Sequence, residues 1–336
     1  MTDTLRAGRR WLVLGLIVLL VATACGSSTA PTGQSSGDND PLSAGTLQPV
    51  SLEPGASLRV VATTNIVGDI VDQVGGEAIS LDTLMAPGVD PHTYVPTPAD
   101  TALIHDAHVV FANGAGLEAD LDEMFTNAGG DAIQIHLSDN LALRPATEIH
   151  GDDEENANHA HEEVDPHVWF NVQNVIHWVE RIEGSLSTLD PANRETYERN
   201  AAAYTRQLEE LDAWVEEQTA TIPADNRRLV TNHPAFAYLA ERYGLEQVGA
   251  IYPVSPSAEP SAQELAALED VIREYGVPAV FTETTVNPKL AEQIALDTGA
   301  KLVSLYSGSL GGPDSEVESY LELIRFDVSA IVEALQ

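Results

Sequence analysis

The sequence predicts an α/β protein of two Rossmann-like lobes, each a parallel sheet flanked by helices, joined by one long rigid helix. Three observations carry this expectation. Short apolar, β-rich runs alternate with helix-length segments, the alternation comes in two successive series, and one unusually long amphipathic stretch separates the series.

The first series is LRVVATT (58–64), AISLDTLM (78–85), HVVFAN (108–113) and AIQIHL (132–137). The second is RRLVTN (227–232), EQVGAIY (246–252), PAVFTE (278–283) and AKLVSLY (300–306). Between them the long stretch opens at Asp190-Pro191, which reads as an N-cap followed by proline at the first helical position, and runs to about Thr221, ahead of Pro223. Tyr197, Ala201, Tyr204, Leu208, Leu211 and Val215 recur at steps of four and three and mark one apolar face. At 1.5 Å per residue such a helix is about 48 Å long, enough to run along both lobes. Two lobes joined this way leave a cleft, where ligands of α/β folds usually bind.

The ends set the remaining boundaries. Arg6, Arg9 and Arg10 precede an apolar run over 11–21, too short for the roughly 20 residues of a membrane span, so residues 1–24 read as a signal peptide. Ala22, Thr23 and Ala24 lead into Cys25, the only cysteine, followed by Gly26-Ser27-Ser28. This is a lipobox with Ala22 where leucine is usual. It predicts lipidation at Cys25 and tethering to the extracytoplasmic face of the membrane, with a plain secretory signal and an incidental cysteine as the alternative. Residues 25–56 are rich in Ser, Gly, Thr and Pro and read as a flexible tether. The expected order is then an N-terminal lobe over 57–188, a linking helix over 189–222 and a C-terminal lobe over 223–336.

Charge narrows the function classes. The chain has 16 basic and 52 acidic residues, and without residues 1–24, which carry three Arg and one Asp, 13 and 51 remain, a net charge of −38. Such a surface repels nucleic acid and anionic ligands and attracts cations. It is consistent with a cation ligand without making a site.

Histidines supply the candidate site. Asp-Pro-His occurs at Asp90-Pro91-His92 and again at Asp165-Pro166-His167, and a third histidine follows a strand at Thr231-Asn232-His233-Pro234. Each proline fixes its own φ, so each turn is partly rigid before a ligand arrives. His92, His167 and His233 are therefore the candidate ligands of one metal ion between the lobes. Asp90 and Asp165, two residues ahead of their histidines, are placed to accept the ring N–H not used for metal and so to fix the tautomer. His105, His108 and His177 lack this setting and read as structural. The segment 148–163, within EIHGDDEENANHAHEEVDPH, mixes carboxylates with His150, His159 and His161 and holds few apolar residues. Its composition predicts a mobile loop, either an auxiliary weak metal site or a solvated insertion.

The motifs ATTNIVGDIV (62–71), PGVDPHTYVPTPAD (87–100), FANGAGLEADLDEM (111–124), DPHVWFNV (165–172), NHPAFAYLAERYGL (232–245) and SAEPS (257–261) resemble those of the zinc/manganese solute-binding lipoproteins of bacterial ABC importers, the cluster A-I family. The resemblance covers nearly the whole chain from residue 58. It implies a C-clamp of two α/β lobes with an interlobe metal site at His92, His167 and His233, and an importer permease in the membrane as partner to a monomeric receptor. One position departs from the family pattern. Many members place an acidic ligand in the segment that reads LYSGSLGG here, and its place is taken by Gly308. The fourth ligand is then water or a nearby carboxylate such as Glu283 in FTETTVNP. Three imidazoles without an obligatory carboxylate suit Zn²⁺ better than the harder Mn²⁺, which makes zinc the expected cargo and manganese the second choice.

Two other classes compete. Three histidines and an open position are also the first shell of a zinc hydrolase, with Glu283 as its base, but neither HExxH nor GxSxG occurs. A surface adhesin is the third class, and no sequence feature supports it directly.

Overall fold

The computed structural model describes residues 47–146, 164–252 and 259–336. All eight expected strands form: β1 (Leu58–Ala62), β2 (Ile79–Thr83), β3 (Val109–Ala112) and β4 (Ile133–His136), then β5 (Arg228–Thr231), β6 (Glu246–Ala250), β7 (Ala279–Glu283) and β8 (Lys301–Leu305). They make two four-stranded sheets with the same order, β2-β1-β3-β4 and β6-β5-β7-β8, and every pair is parallel. In each sheet the chain turns one way from its first strand to its second and the other way to its third. The carboxyl ends of β1 and β3, and of β5 and β7, therefore flank the two switch points where α/β sheets bind ligands.

Helices cover the sheets. The first lobe carries α1 (Asn65–Gly75), α2 (Pro98–Asp106), α3 (Asp122–Ala128) and α4 (Val172–Leu189). The long helix α5 (Arg194–Ala220) follows, and the second lobe carries α6 (Ala237–Tyr243), α7 (Ala262–Tyr275), α8 (Lys289–Thr298) and α9 (Tyr320–Leu335). Thr64 caps α1, while Thr97, Ser261 and Ser319 build capping boxes on α2, α7 and α9, so the sequence marks these helix starts locally.

The linking helix packs on α1 and α4 of one lobe and on α6 and α9 of the other. Its six apolar positions, Tyr197 to Val215, are all buried, and one core cluster runs from Leu58 and Trp178 through Leu208 to Leu229 and Ile331. The expected start differs. Pro191–Asn193 form a 3₁₀ turn, α5 begins at Arg194, and the 27-residue helix is about 40 Å long. Asp190 does not cap it. Its Oδ2 accepts hydrogen bonds from Tyr197 Oη at 2.8 Å and Asn193 Nδ2 at 2.7 Å instead.

The tether expected over 25–56 ends earlier. Leu47, Val50 and Leu52 pack against the main core, and the Val50 N–H donates to the Leu189 carbonyl at 2.8 Å. Three apolar side chains spaced through a polar stretch suffice to dock it. The expected signal peptide, Cys25 and the histidines His150, His159 and His161 lie outside the described residues. Pro145 and Val164 form an isolated antiparallel bridge. Among the described residues no helix is long and apolar enough to cross a membrane.

Candidate metal centre

Three imidazoles from three separate segments meet at their Nε2 atoms. His92 lies on the loop after β2, His167 ends the turn that leads into α4, and His233 follows β5. His167 Nε2 is 3.0 Å from His92 Nε2 and 3.1 Å from His233 Nε2, and the ring centroids are 4.9–5.4 Å apart. Nitrogen donors bound at about 2.05 Å to a tetrahedral ion stand roughly 3.3 Å apart, so the spacing suits one shared ion. His167 and His233 are buried, and His92 is half-buried.

Each histidine is held differently. Asp165 Oδ1 accepts the His167 backbone N–H at 3.0 Å and lies 2.8 Å from its Nδ1. A carboxylate only accepts, so Nδ1 carries the proton and the Nε2 lone pair faces the cluster. Around this turn, Asn113 Nδ2 donates to the Pro166 carbonyl at 3.0 Å and the Tyr238 hydroxyl donates to the Asp165 carbonyl at 3.1 Å. Asn113, at the end of β3, is itself set by buried Glu118, whose Oε1 accepts the Asn113 N–H at 2.7 Å and the Thr63 hydroxyl at 2.8 Å.

Glu283 plays for His233 the part that Asp165 plays for His167. Its Oε1 lies 2.8 Å from His233 Nδ1 and accepts the His233 backbone N–H at 3.2 Å. The register explains the meeting. Thr231 pairs with Phe281, so the residues two positions on, His233 and Glu283, leave neighbouring strands side by side. Glu283 was expected as a possible fourth ligand, and the structure puts it behind the ring, on the nitrogen facing away from the cluster.

Asp90 also departs from expectation. Its Oδ1 accepts the His92 backbone N–H at 2.9 Å, which shapes the turn, and among the described residues no carboxylate lies on His92 Nδ1. Gly308 lies against Pro91, the residue before His92. A Cβ at 308 would come within 2.7 Å of Pro91 Cδ. Among the described residues the group of ligand atoms that could hold an ion consists of these three imidazoles alone.

Electrostatics act oppositely on two of the rings. Burial, reinforced by His167 and His233, pushes His92 down to about 2. Burial also pulls on His233, but the Glu283 carboxylate outweighs it and leaves the imidazole raised. Glu283 moves the other way, since His233 and its hydrogen bonds overcome the desolvation that would raise it.

The expected structural histidines stay away from the cluster. His108 Nδ1 accepts the Arg59 N–H at 2.9 Å, and His177 Nε2 lies 3.1 Å from the Asp139 carbonyl. Trp169 was not singled out in the sequence, although its ring packs edge-on against His167 at 5.3 Å and its Nε1 donates across to the Ser307 carbonyl at 3.0 Å. A tryptophan two residues after a candidate ligand was the only available signal.

Two switch-point lobes that bring three imidazoles together define a metal-binding protein of two-lobed α/β build. The chain belongs to the family described as zinc-uptake complex component A, periplasmic (ZnuA), whose model matches residues 60–334. It is 30% identical over 321 residues to the manganese-binding lipoprotein MntA of Halalkalibacterium halodurans, covering 95% of this chain and 96% of that one. It is 33% identical over 276 residues to the iron-binding protein YfeA of Yersinia pestis, covering 82% and 85% respectively. Its fold matches that of the periplasmic zinc-binding protein TroA from Treponema pallidum with a TM-score of 0.73 at 29% identity, over 83% of this chain and 99% of that one.

Proposed function

We infer that the chain is an extracytoplasmic receptor that captures Zn²⁺ at His92, His167 and His233 and delivers it to the permease of an ABC importer. It acts as a monomer anchored through lipid on Cys25. The observation that carries the reading is the convergence of three Nε2 donors in a ligand group that, among the described residues, includes no carboxylate oxygen. Imidazole is a borderline donor that suits zinc, whereas manganese favours oxygen. Water completes the shell, since Gly308 has no side chain and Glu283 is engaged with His233 Nδ1. The carboxylates and His150, His159 and His161 of the segment 148–163 supply donor types for an auxiliary weak site, with a solvated insertion as the alternative.

Manganese is the second reading, favoured by the name of the MntA relative. Nitrogen sites bind zinc more tightly than manganese as a general trend, so competition in solution is paired with a cellular measurement. Protein purified without added metal should contain zinc, and cells lacking the protein under metal restriction should lose zinc and keep manganese. Loss of cellular manganese with zinc unchanged would reverse the choice.

A further inference from the structure

His167 and His233 each have a carboxylate on Nδ1, and among the described residues His92 has none. Its ring must be placed by the backbone that carries it. That backbone is fastened to the opposite lobe.

Asn65, the first residue of α1, is 7% exposed and is hydrogen-bonded through both its side-chain oxygen and its nitrogen. Its Nδ2 lies 3.3 Å from the Met85 carbonyl, 3.1 Å from the Ala86 carbonyl and 2.8 Å from Ser309 Oγ. Its Oδ1 accepts the Leu310 N–H at 2.7 Å. Ser309, 1% exposed, accepts the Gly88 N–H at 2.7 Å and donates to the Leu310 carbonyl at 3.0 Å. The Gly88 N–H is shared with the Leu310 carbonyl at 3.2 Å. The loop that carries His92 is thus held at 85–86 by Asn65, which itself bonds to Ser309 and Leu310, and at Gly88 directly by the segment after β8, while Pro91 rests on Gly308 just beyond.

Buried polar groups are costly when unpartnered, and Asn65 Oδ1 and the Gly88 N–H find their partners only with both lobes in place. We propose that Asn65 of the N-terminal lobe and Ser309 of the C-terminal lobe are positioning residues that together seat His92, the counterpart for this ligand of Asp165 and Glu283 for the other two. The proposal rests on the three-imidazole reading. Removing such a positioning group commonly weakens metal affinity by about 10- to 100-fold.

The test uses the full chain carrying Asn65→Ala, Ser309→Ala or both, with His92→Ala and the remote core variant Leu268→Ala as references. Zinc affinity is read by chelator competition, and the ligand shell by the visible spectrum of the Co²⁺ form. Each single variant should weaken zinc by about 10-fold or more, and the pair should add less than the product, because the two side chains share one contact. Their Co²⁺ spectra should shift toward that of His92→Ala. Leu268→Ala should lower the melting temperature and leave affinity and spectrum unchanged. Where Asn65→Ala does not fold, Ser309→Ala, the smaller truncation, decides alone. Wild-type affinity and spectrum in the latch variants, with His92→Ala weakened, would overturn the latch and leave the three-imidazole reading standing. Wild-type affinity in His92→Ala would overturn that reading and the latch with it.

Discussion

Glu283 and His233, fifty residues apart in the chain, meet at 2.8 Å between Oε1 and Nδ1 because the strands before them, β7 and β5, are neighbours in one parallel sheet. The contact directs the remaining lone pair of His233 at His167 and His92. Replacing Glu283 with Gln, or Asp165 with Asn, should weaken zinc binding by about 10- to 100-fold while leaving the fold intact. Chelator competition measures this, and affinities equal to wild type would show that neither carboxylate tunes its ring.

Zinc binding should weaken on acidification, and the fall should begin above the ordinary imidazole pKa of about 6.5. The ion takes neutral rings. His92, pushed down to about 2 by burial and its two neighbours, has no proton to lose in this range. His233 is raised by Glu283 against the pull of burial, so the competition between proton and metal at this ring sets in at a higher pH than for a free imidazole. Affinity should be level above the His233 pKa and drop by up to tenfold per pH unit below it. Isothermal titration in buffers of different ionisation enthalpy counts the protons released at each pH, and an affinity flat from pH 7.5 to 5 would point to oxygen ligands.

Asp69 predicts a pH dependence of stability. Its Oδ2 accepts the Tyr320 N–H at 2.8 Å where α9 begins, and burial raises its carboxyl to about 6, with Asp72 and Glu322 adding repulsion. A folded pKa above the unfolded value means that the group's stabilisation is full below about 4 and is lost as pH rises through about 6. Asp69→Asn keeps an acceptor for Tyr320 and removes the charge. At pH 7.5 it should be more stable than wild type by up to about 3 kcal/mol, and the difference should shrink toward pH 4. Paired denaturant titrations at the two pH values check this, and a difference independent of pH would refute it.

Deleting 148–163 while keeping Asp165 and His167 should leave the tight site nearly unchanged, because none of its three imidazoles is removed. Wild type should bind one tight zinc and at least one weaker, and the deletion variant should lack the weaker one. Identical stoichiometry and identical uptake rates would make the segment a solvated insertion.

Most of the architecture was legible because each element carries a local signal. The eight strands are short apolar runs between helix-length segments, and α5 shows its buried face from Tyr197 to Val215 in its spacing alone. The Asp-Pro-His turns marked two imidazoles for the same reason. Long-range partnerships left no such trace. That Glu283 would stand behind His233 depends on which strands pair, and that Asn65 would bind Ser309 depends on how two lobes meet, 244 residues apart in the chain. The two Asp-Pro-His copies look alike in sequence, yet Asp165 reaches its ring and Asp90 stops at the backbone N–H of His92. The packing of Leu47 to Leu52 was hidden by the polar composition around them.

X-ray absorption of the protein loaded with one equivalent of zinc tests the central claim most directly, because it reads the number and kind of donors on the ion itself. The account predicts imidazole scattering from three rings at about 2.0–2.1 Å with a single light oxygen donor completing the shell. A shell dominated by oxygen, or one with fewer than three imidazoles, would contradict the site formed by His92, His167 and His233.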